Sequence, residues 1–241
     1  MNLRFLYKIH SIIGLISAII LIMLAITGIA LNHTEYLQMD SQMIKSKTIL
    51  DWYDIKSPNK IQSFSSKNHY FSQVNQQIYL DKQFLLATPN NIKGAVETEN
   101  FIIVALNDSL LLLSLQGELI EQSPLNTIEK IGLDKQQAIV IQSKTGITSS
   151  KDNLLSWQAY DNSPVSWSKN TPTPKAIGEA IKNSFRSSIL PLERVILDIH
   201  SGRFFGFIGV LLVDISAIFL VILTISGCSI WLKRKFRFFQ L

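Results

Sequence analysis

Two long apolar blocks stand near the ends of this chain, and the stretch between them is repeatedly broken by polar residues. The first block runs from Ile12 to Leu31 and carries no charge. At about 1.5 Å per residue it is about 30 Å long as a helix, which matches the hydrocarbon thickness of a bilayer. The second runs from Phe204 to Leu232 and carries one charge, Asp214. Lipid offers no hydrogen bonds to a backbone, so each block is expected to be a helix that satisfies its own. The first exceeds the apolar run of a cleaved leader, and no A-x-A site follows it.

Between the blocks, residues 34–174 alternate short apolar runs with Asn, Asp, Gly and Pro. The pattern predicts strands over Tyr70–Val74, Gln77–Leu80, Phe101–Leu106, Leu110–Leu115, Glu118–Glu121, Ala138–Gln142 and Leu154–Tyr160. Asn107-Asp108 and Gln116-Gly117 fall at hairpin spacing, so FIIVALNDSLLLLSLQGELIEQ reads as a three-strand meander. The first part of that segment, FIIVALNDSLLLLSL, can be laid on AIVIQSKTGITSSKDNLLSW at a period near 37, with HYFSQVNQQIYLDKQFLL as an earlier copy. Three such units resemble pieces of a propeller but are too few to close one, and a twisted antiparallel β-domain is the plainer expectation. After the TPTP turn at 171–174, Ile177, Ala180, Ile181 and Phe185 share one face of a short helix over Lys175–Arg186. Pro191 opens another, with Leu192, Val195, Ile196 and Ile199 at helical spacing. Such helices lie along a membrane surface or pack on the β-domain.

The expected fold class is therefore membrane α plus extracytoplasmic β. Two transmembrane helices flank an antiparallel β-rich domain with short amphipathic helices. The divisions are 1–33 (N-terminus and first span), 34–174 (β-rich domain), 175–203 (amphipathic helices at the outer interface), 204–232 (second span) and 233–241 (basic tail).

Charge orients this arrangement. Arg4 and Lys8 precede the first block, and Lys233, Arg234, Lys235 and Arg237 follow the second, with no acid in either flank. The positive-inside rule puts both ends in the cytoplasm and the middle outside. Removing those six from the 23 basic residues leaves 17 against 18 acids. The net charge of +5 is thus a topology signal and gives no reason to expect a nucleic-acid partner. The single cysteine, Cys228, rules out an intrachain disulfide and a cysteine-based metal site.

Histidine is the residue type with candidate chemistry. Of four, His10, His33 and His200 border the apolar blocks, and His69 lies in the β-domain. His10 and His33 stand 23 residues apart, about 34 Å on one helix, so they cannot share a ligand within the chain. His33 and His200 fall on the same outer side and could meet. Imidazoles beside small residues suit a haem held between helices: His10 has Gly14 one turn on, and His200 has Gly202 and Gly206 nearby. The plainer reading is a wet, hydrogen-bonded histidine at a membrane interface. Asp214 likewise has two readings, a charge relay beside a cofactor or a structural hydrogen bond to Arg203 or to backbone near the bend. Gly14, Ser17, Ala18 and Gly28 in one block, and Ser216, Ala217, Ser226 and Gly227 in the other, would let the helices approach closely. P-loop, dinucleotide, zincin and nucleophile-elbow motifs are absent.

The end motifs resemble the PepSY-associated transmembrane-helix family of bacterial inner-membrane proteins. KIHSIIG and TGIALNH carry the likeness at the N-terminal end, and LDIHSGRFFG, GVLLVD and SGCSIW at the other. The chain departs from the pattern in having Ser226-Gly227 where the family often has Thr-Gly, and in having two spans where larger members have four or more. The resemblance implies the bacterial inner membrane, N-in and C-in with the central domain periplasmic, and a link to iron or siderophore uptake. It also implies haem b on His10, His33 and His200, with Gly14, Gly202, Arg203 and Gly206 around it, serving transmembrane electron transfer. His10 lacks a partner histidine on its own side, which implies a homodimer or a membrane redox partner. The alternative is a non-catalytic accessory whose β-domain binds a partner.

Overall fold

The computed structural model describes residues 3–125, 127–152, 154–160 and 164–238. Helices are α1 (Leu3–Asn32), α2 (Lys47–Trp52), α3 (Lys175–Arg186), α4 (Leu192–His200) and α5 (Gly206–Phe238). The strands β1 (Gln62–Ser66), β2 (His69–Val74), β3 (Gln77–Leu80) and β4 (Gln83–Ala87) form a first antiparallel sheet in that order. The second sheet is β5 (Ile92–Glu97), β6 (Phe101–Leu106), β7 (Ser109–Ser114) and β8 (Leu119–Pro124). A third holds β9 (Ile128–Leu133), β10 (Ile139–Ser143), β11 (Gly146–Ser150) and β12 (Gln158–Ala159), with β13 (Ser166–Trp167) added beside β9. Two compact units result, Met1–Leu50 with Ser188–Leu241, and Asp51–Ser187.

The first unit is built on α1 and α5, both long and apolar enough to cross a membrane. Most of their surface faces outward, as it does when lipid is the solvent. Ser17, Thr27, Ser216 and Ser226 are the buried polar residues of the pair. Their hydroxyls donate to carbonyls three or four residues back on the same helix, so small residues fill the contact without leaving unsatisfied groups. After α1 the chain turns back along the start of α4. Leu192 N and Glu193 N donate to Gln42 O (2.8 Å) and Met39 O (2.9 Å), which caps two of the donors a helix start leaves open. Between α4 and α5 the chain reverses through Ser201–Phe205. Gly202 (φ 76°) and Gly206 (φ 68°, ψ −153°) take conformations that side chains resist. Of the basic flanking residues, the side chains of Arg4 and Arg237 lie outside the described set.

The second unit carries the repeat. The copies read from the sequence fall on β2–β4, β6–β7 and β10–β11, each starting at the second strand of its sheet. Each opens with a hairpin of two loop residues, at Asn75-Gln76, Asn107-Asp108 and Lys144-Thr145. Asn75 has φ 51°, as a tight hairpin of right-handed twist requires. The middle sheet packs on both faces. Ile102, Val104 and Leu106 of β6 join a core with Phe64, Phe71 and Ile78 of the first sheet. The alternate residues Ile103 and Ala105 join Ile131, Ile139 and Ile141 of the third. This explains the unbroken apolar runs FIIVAL and LLLL, since a strand buried on both sides has no polar face. The other face of the first sheet is covered by α3, through Ile177, Ile181 and Phe185 against Val74 and Tyr79.

A strap over residues 166–173 ties the first strands of the three sheets. Ser166 and Trp167 pair with Leu133 and Gly132 of β9, Ala95 N of β5 donates to Ser168 Oγ (3.0 Å), and Thr171 N donates to Ser63 O of β1 (2.8 Å). Gly94 and Gly132 permit it. A Cβ on Gly132 would stand 2.7 Å from Ser166 O, and one on Gly94 2.9 Å from Ser168 Cβ.

One expected strand is mostly lost. Of Leu154–Tyr160 only Gln158–Ala159 pairs. Asp152 accepts from Ser156 N and Ser150 Oγ, and Leu154 N is drawn to Ser150 Oγ, so side chains take the backbone donors that a ladder would need. The bonds from Ser156 and Ser150 hold the Asp152 carboxyl down at about 2.

Tyr79 is fully buried, and its hydroxyl donates to Gln77 Oε1. Burial raises its phenol above the ordinary 10, with a Ser184 hydrogen bond opposing. The folded state therefore favours the protonated phenol. That contribution is complete below pH 10 and is lost as pH rises through the raised value. Melting temperatures recorded from pH 9 upward should fall more steeply for the wild-type protein than for Tyr79→Phe. Equal slopes would show that Tyr79 does not set the alkaline limit.

Candidate functional site

α1 and α5 run antiparallel, and each end of the pair holds one histidine from one segment against a hydroxyl and a glycine from the other. At the Asn32 end, His200 Nδ1 lies 2.8 Å from Thr27 Oγ1, and its Cε1 lies 3.4 Å from where a Cβ on Gly28 would be. At the opposite end, His10 Nδ1 lies 2.8 Å from Ser226 Oγ, and its Cε1 lies 3.4 Å from a Cβ built on Gly227. The two arrangements match group for group. His10 and Thr27 are 17 residues apart on α1, so the sites are separated by about 26 Å along the helix, close to the span of the hydrocarbon layer.

The surrounding bonds bear on the ring protons. Thr27 Oγ1–H donates to Met23 O (2.8 Å), and Ser226 Oγ–H to Leu223 O (3.1 Å). A hydroxyl has one proton, so towards the histidine each oxygen acts as an acceptor. With those protons on the carbonyls, Nδ1–H of each ring would be the donor, which would leave Nε2 with a lone pair. Metal-bound histidines use this arrangement, in which a fixed hydrogen bond on one nitrogen orients the other. Both rings are partly buried.

The turn beside His200 is held by charge. Asp198 is buried between two arginines, accepting from Arg194 Nε (3.0 Å) and standing 3.5 Å from Arg203 Nε, which also donates to Ser201 Oγ (2.9 Å). Arg203 thus anchors the loop that follows His200. Gly202 and Gly209 press backbone against backbone: a Cβ on Gly202 would lie 2.3 Å from Gly209 O. Gly14 sits near the His10 end, with a Leu223 methyl 3.7 Å from where its Cβ would be. Gly206 faces open space and serves the turn through its φ alone.

The remaining sequence-chosen residues lie apart from these two clusters. His33 is exposed in the turn after α1 and lines a cavity of about 570 Å³ with Glu35, Asp40 and Glu193. Its hydrogen-bonding neighbours do not include His200, which is engaged by Thr27 instead. His69 is bound to Asp81 (2.9 Å), whose other oxygen accepts from Tyr70 N, so it pins the β3–β4 turn. Asp214 is exposed on α5, and the arginine once considered for it, Arg203, is paired with Asp198. Cys228 is also exposed. No cluster of three or more metal-ligating residues occurs among the described residues. Sequence reading singled out His10 and His200 but gave Thr27 and Ser226 no part in a site. The signal was present as the hydroxyl–glycine steps Thr27-Gly28 on α1 and Ser226-Gly227 on α5.

Fold and site together define a two-span membrane protein with a β-domain inserted between its helices. The sequence model of the PepSY-associated TM region matches residues 2–234, nearly the whole chain, and the protein belongs to that family. No curated protein and no solved structure matches it.

Proposed function

We propose that this protein is a haem-binding electron-transfer subunit of the bacterial inner membrane, with both termini in the cytoplasm and the β-domain in the periplasm, acting in iron or siderophore uptake. The observation that carries the reading is the matched pair of imidazoles, each with Nδ1 held 2.8 Å from a hydroxyl of another helix, an arrangement that would leave Nε2 as a ligand. The residues fit the group, since an axial imidazole needs that tautomer and a fixed ring. A haem b at each histidine would supply a one-electron carrier near each face of the bilayer.

The chain's own part is to orient. Thr27 and Ser226 hold the rings, Gly28 and Gly227 keep the space beside Cε1 free of side chains, and the Asp198–Arg203 pair fixes the loop carrying His200. Each site has one imidazole held in this way. A second protein ligand for a haem at either end would be supplied by another copy of this chain or by a histidine-bearing membrane partner, with exposed His33 available at the Asn32 end. Asp214 supports an intramembrane partner, because a carboxylate facing outward within a span requires a polar group opposite it.

The test is the visible spectrum of the full chain, purified in mild detergent from cells supplied with haem precursor. A reducible Soret band in stoichiometric amount is expected. A folded, colourless preparation that also fails to take up added haemin would refute the reading.

A further inference from the structure

α5 carries an outward stripe that the histidine sites do not use. Asp214, Ala217, Val221, Thr224, Cys228 and Trp231 recur at alternating steps of three and four, and all are exposed. That period is the one by which a helix keeps a single seam against a neighbour. The stripe lies about a third of a turn round α5 from Ser216, Ser226 and Ile230, which are buried. α1 offers a contrast. From Ile12 to Ile29 its exposed residues are Leu, Ile and one Ala, a surface as apolar as the lipid around it. The α5 stripe instead turns a carboxyl, a hydroxyl and a thiol outward. Asp214 is the costly one. The helix rises about 12 Å from Gly206 to Asp214. The carboxyl therefore stands within the span, where it meets no partner among the described residues.

We propose that this stripe is the contact between two copies of the chain, paired through α5 about an axis along the membrane normal. Two copies insert with the same orientation, so the axis sets each stripe residue opposite its counterpart at the same depth. The two Asp214 carboxyls then hydrogen-bond through a shared proton, and the two Thr224 hydroxyls meet, as do the two Cys228 thiols. Ala217 and Val221 are small enough to let the helices approach. A second copy is the occupant because it matches polar group to polar group at every depth by symmetry alone. The pairing names the intramembrane partner of the haem reading, yet it follows from the spans and stands with or without haem.

Oxidative cross-linking of the full chain in native membranes tests it, because Cys228 is the single cysteine. With copper phenanthroline the unaltered chain should run as a dimer of itself on a non-reducing gel. In a Cys228→Ser background, Ala217→Cys, Val221→Cys and Thr224→Cys should each restore the dimer. Ile218→Cys and Ile222→Cys, exposed on other faces at similar depths, should not. Asp214→Leu should lower cross-linking through Cys228 severalfold, and Asp214→Asn, which keeps a hydrogen-bonding pair, should retain it. No dimer from any stripe position would overturn the proposal. So would equal cross-linking from Ile218→Cys and Ile222→Cys, undiminished cross-linking in Asp214→Leu, or a product whose mass shows a different protein on this face. Each outcome is read as helix contact, so it separates from the presence or absence of a Soret band.

Discussion

His200→Ala is expected to abolish haem at the Asn32 end of the helix pair and to leave the other site filled, so the Soret absorbance per protein falls by about half. His10→Ala should do the same from the opposite end, and the double variant should be colourless. The size of the effect follows from the inventory. Each end has one imidazole oriented by a second helix, and no other described histidine lies in either cluster. Thr27→Val keeps the shape of the side chain and removes the acceptor for Nδ1–H. The ring then loses its fixed tautomer, and haem affinity at that end should drop by about 10–100-fold, the usual cost of losing such an outer partner. Redox titration would resolve the two sites, because Thr27→Val should move one midpoint and leave the other in place. If Thr27→Val and His200→Ala leave both the absorbance and the titration unchanged, the imidazoles are structural.

The second large effect is expected at Gly209. A Cβ there would lie 2.1 Å from Gly202 O and 2.7 Å from Phe205 Cβ. Neither obstacle is the end of a flexible side chain, so Gly209→Ala must push the turn apart from the start of α5. Overpacking of this kind costs about 1–3 kcal/mol. Gly202→Ala adds the strain of a side chain at φ 76°, about 1–3 kcal/mol more. Unfolding in mixed detergent with denaturant, followed by tryptophan fluorescence, should show the order wild type, then Gly209→Ala, then Gly202→Ala. Gly14→Ala is the control, since its nearest neighbour is a Leu223 methyl at 3.7 Å. Equal stability of Gly209→Ala and wild type would mean that the backbones are not in contact.

The sequence made the spans, both amphipathic helices and the central meander legible because each rests on local periodicity. Phe101–Leu106 and Gln77–Leu80 pair over the residues expected, and α3 and α4 start directly after Pro174 and Pro191. Two of the strands that went unread, β1 and β5, are of another kind. β1 (QSFSS) and β5 (IKGAVE) have little apolar alternation, because they are ordered by the strap and by neighbouring sheets. In β1, Ser63 is buried and bonds Ser72 (2.7 Å) and Thr173 (2.6 Å), a non-local demand that no local window contains. The same limit applies to the site. His10 and His200 stood out by type and position, but the hydroxyls that orient them are 216 and 173 residues away.

The crossed supply of histidine and hydroxyl also bears on how the protein is made. α1 leaves the ribosome long before α5, and in that interval His10 and Thr27 both lack their counterparts. Neither half-site exists until the last helix has entered the membrane beside the first. A slip of one helical turn between them would separate both pairs together. Under the proposed haem reading, cofactor loading would be open only to chains whose two ends have paired in register.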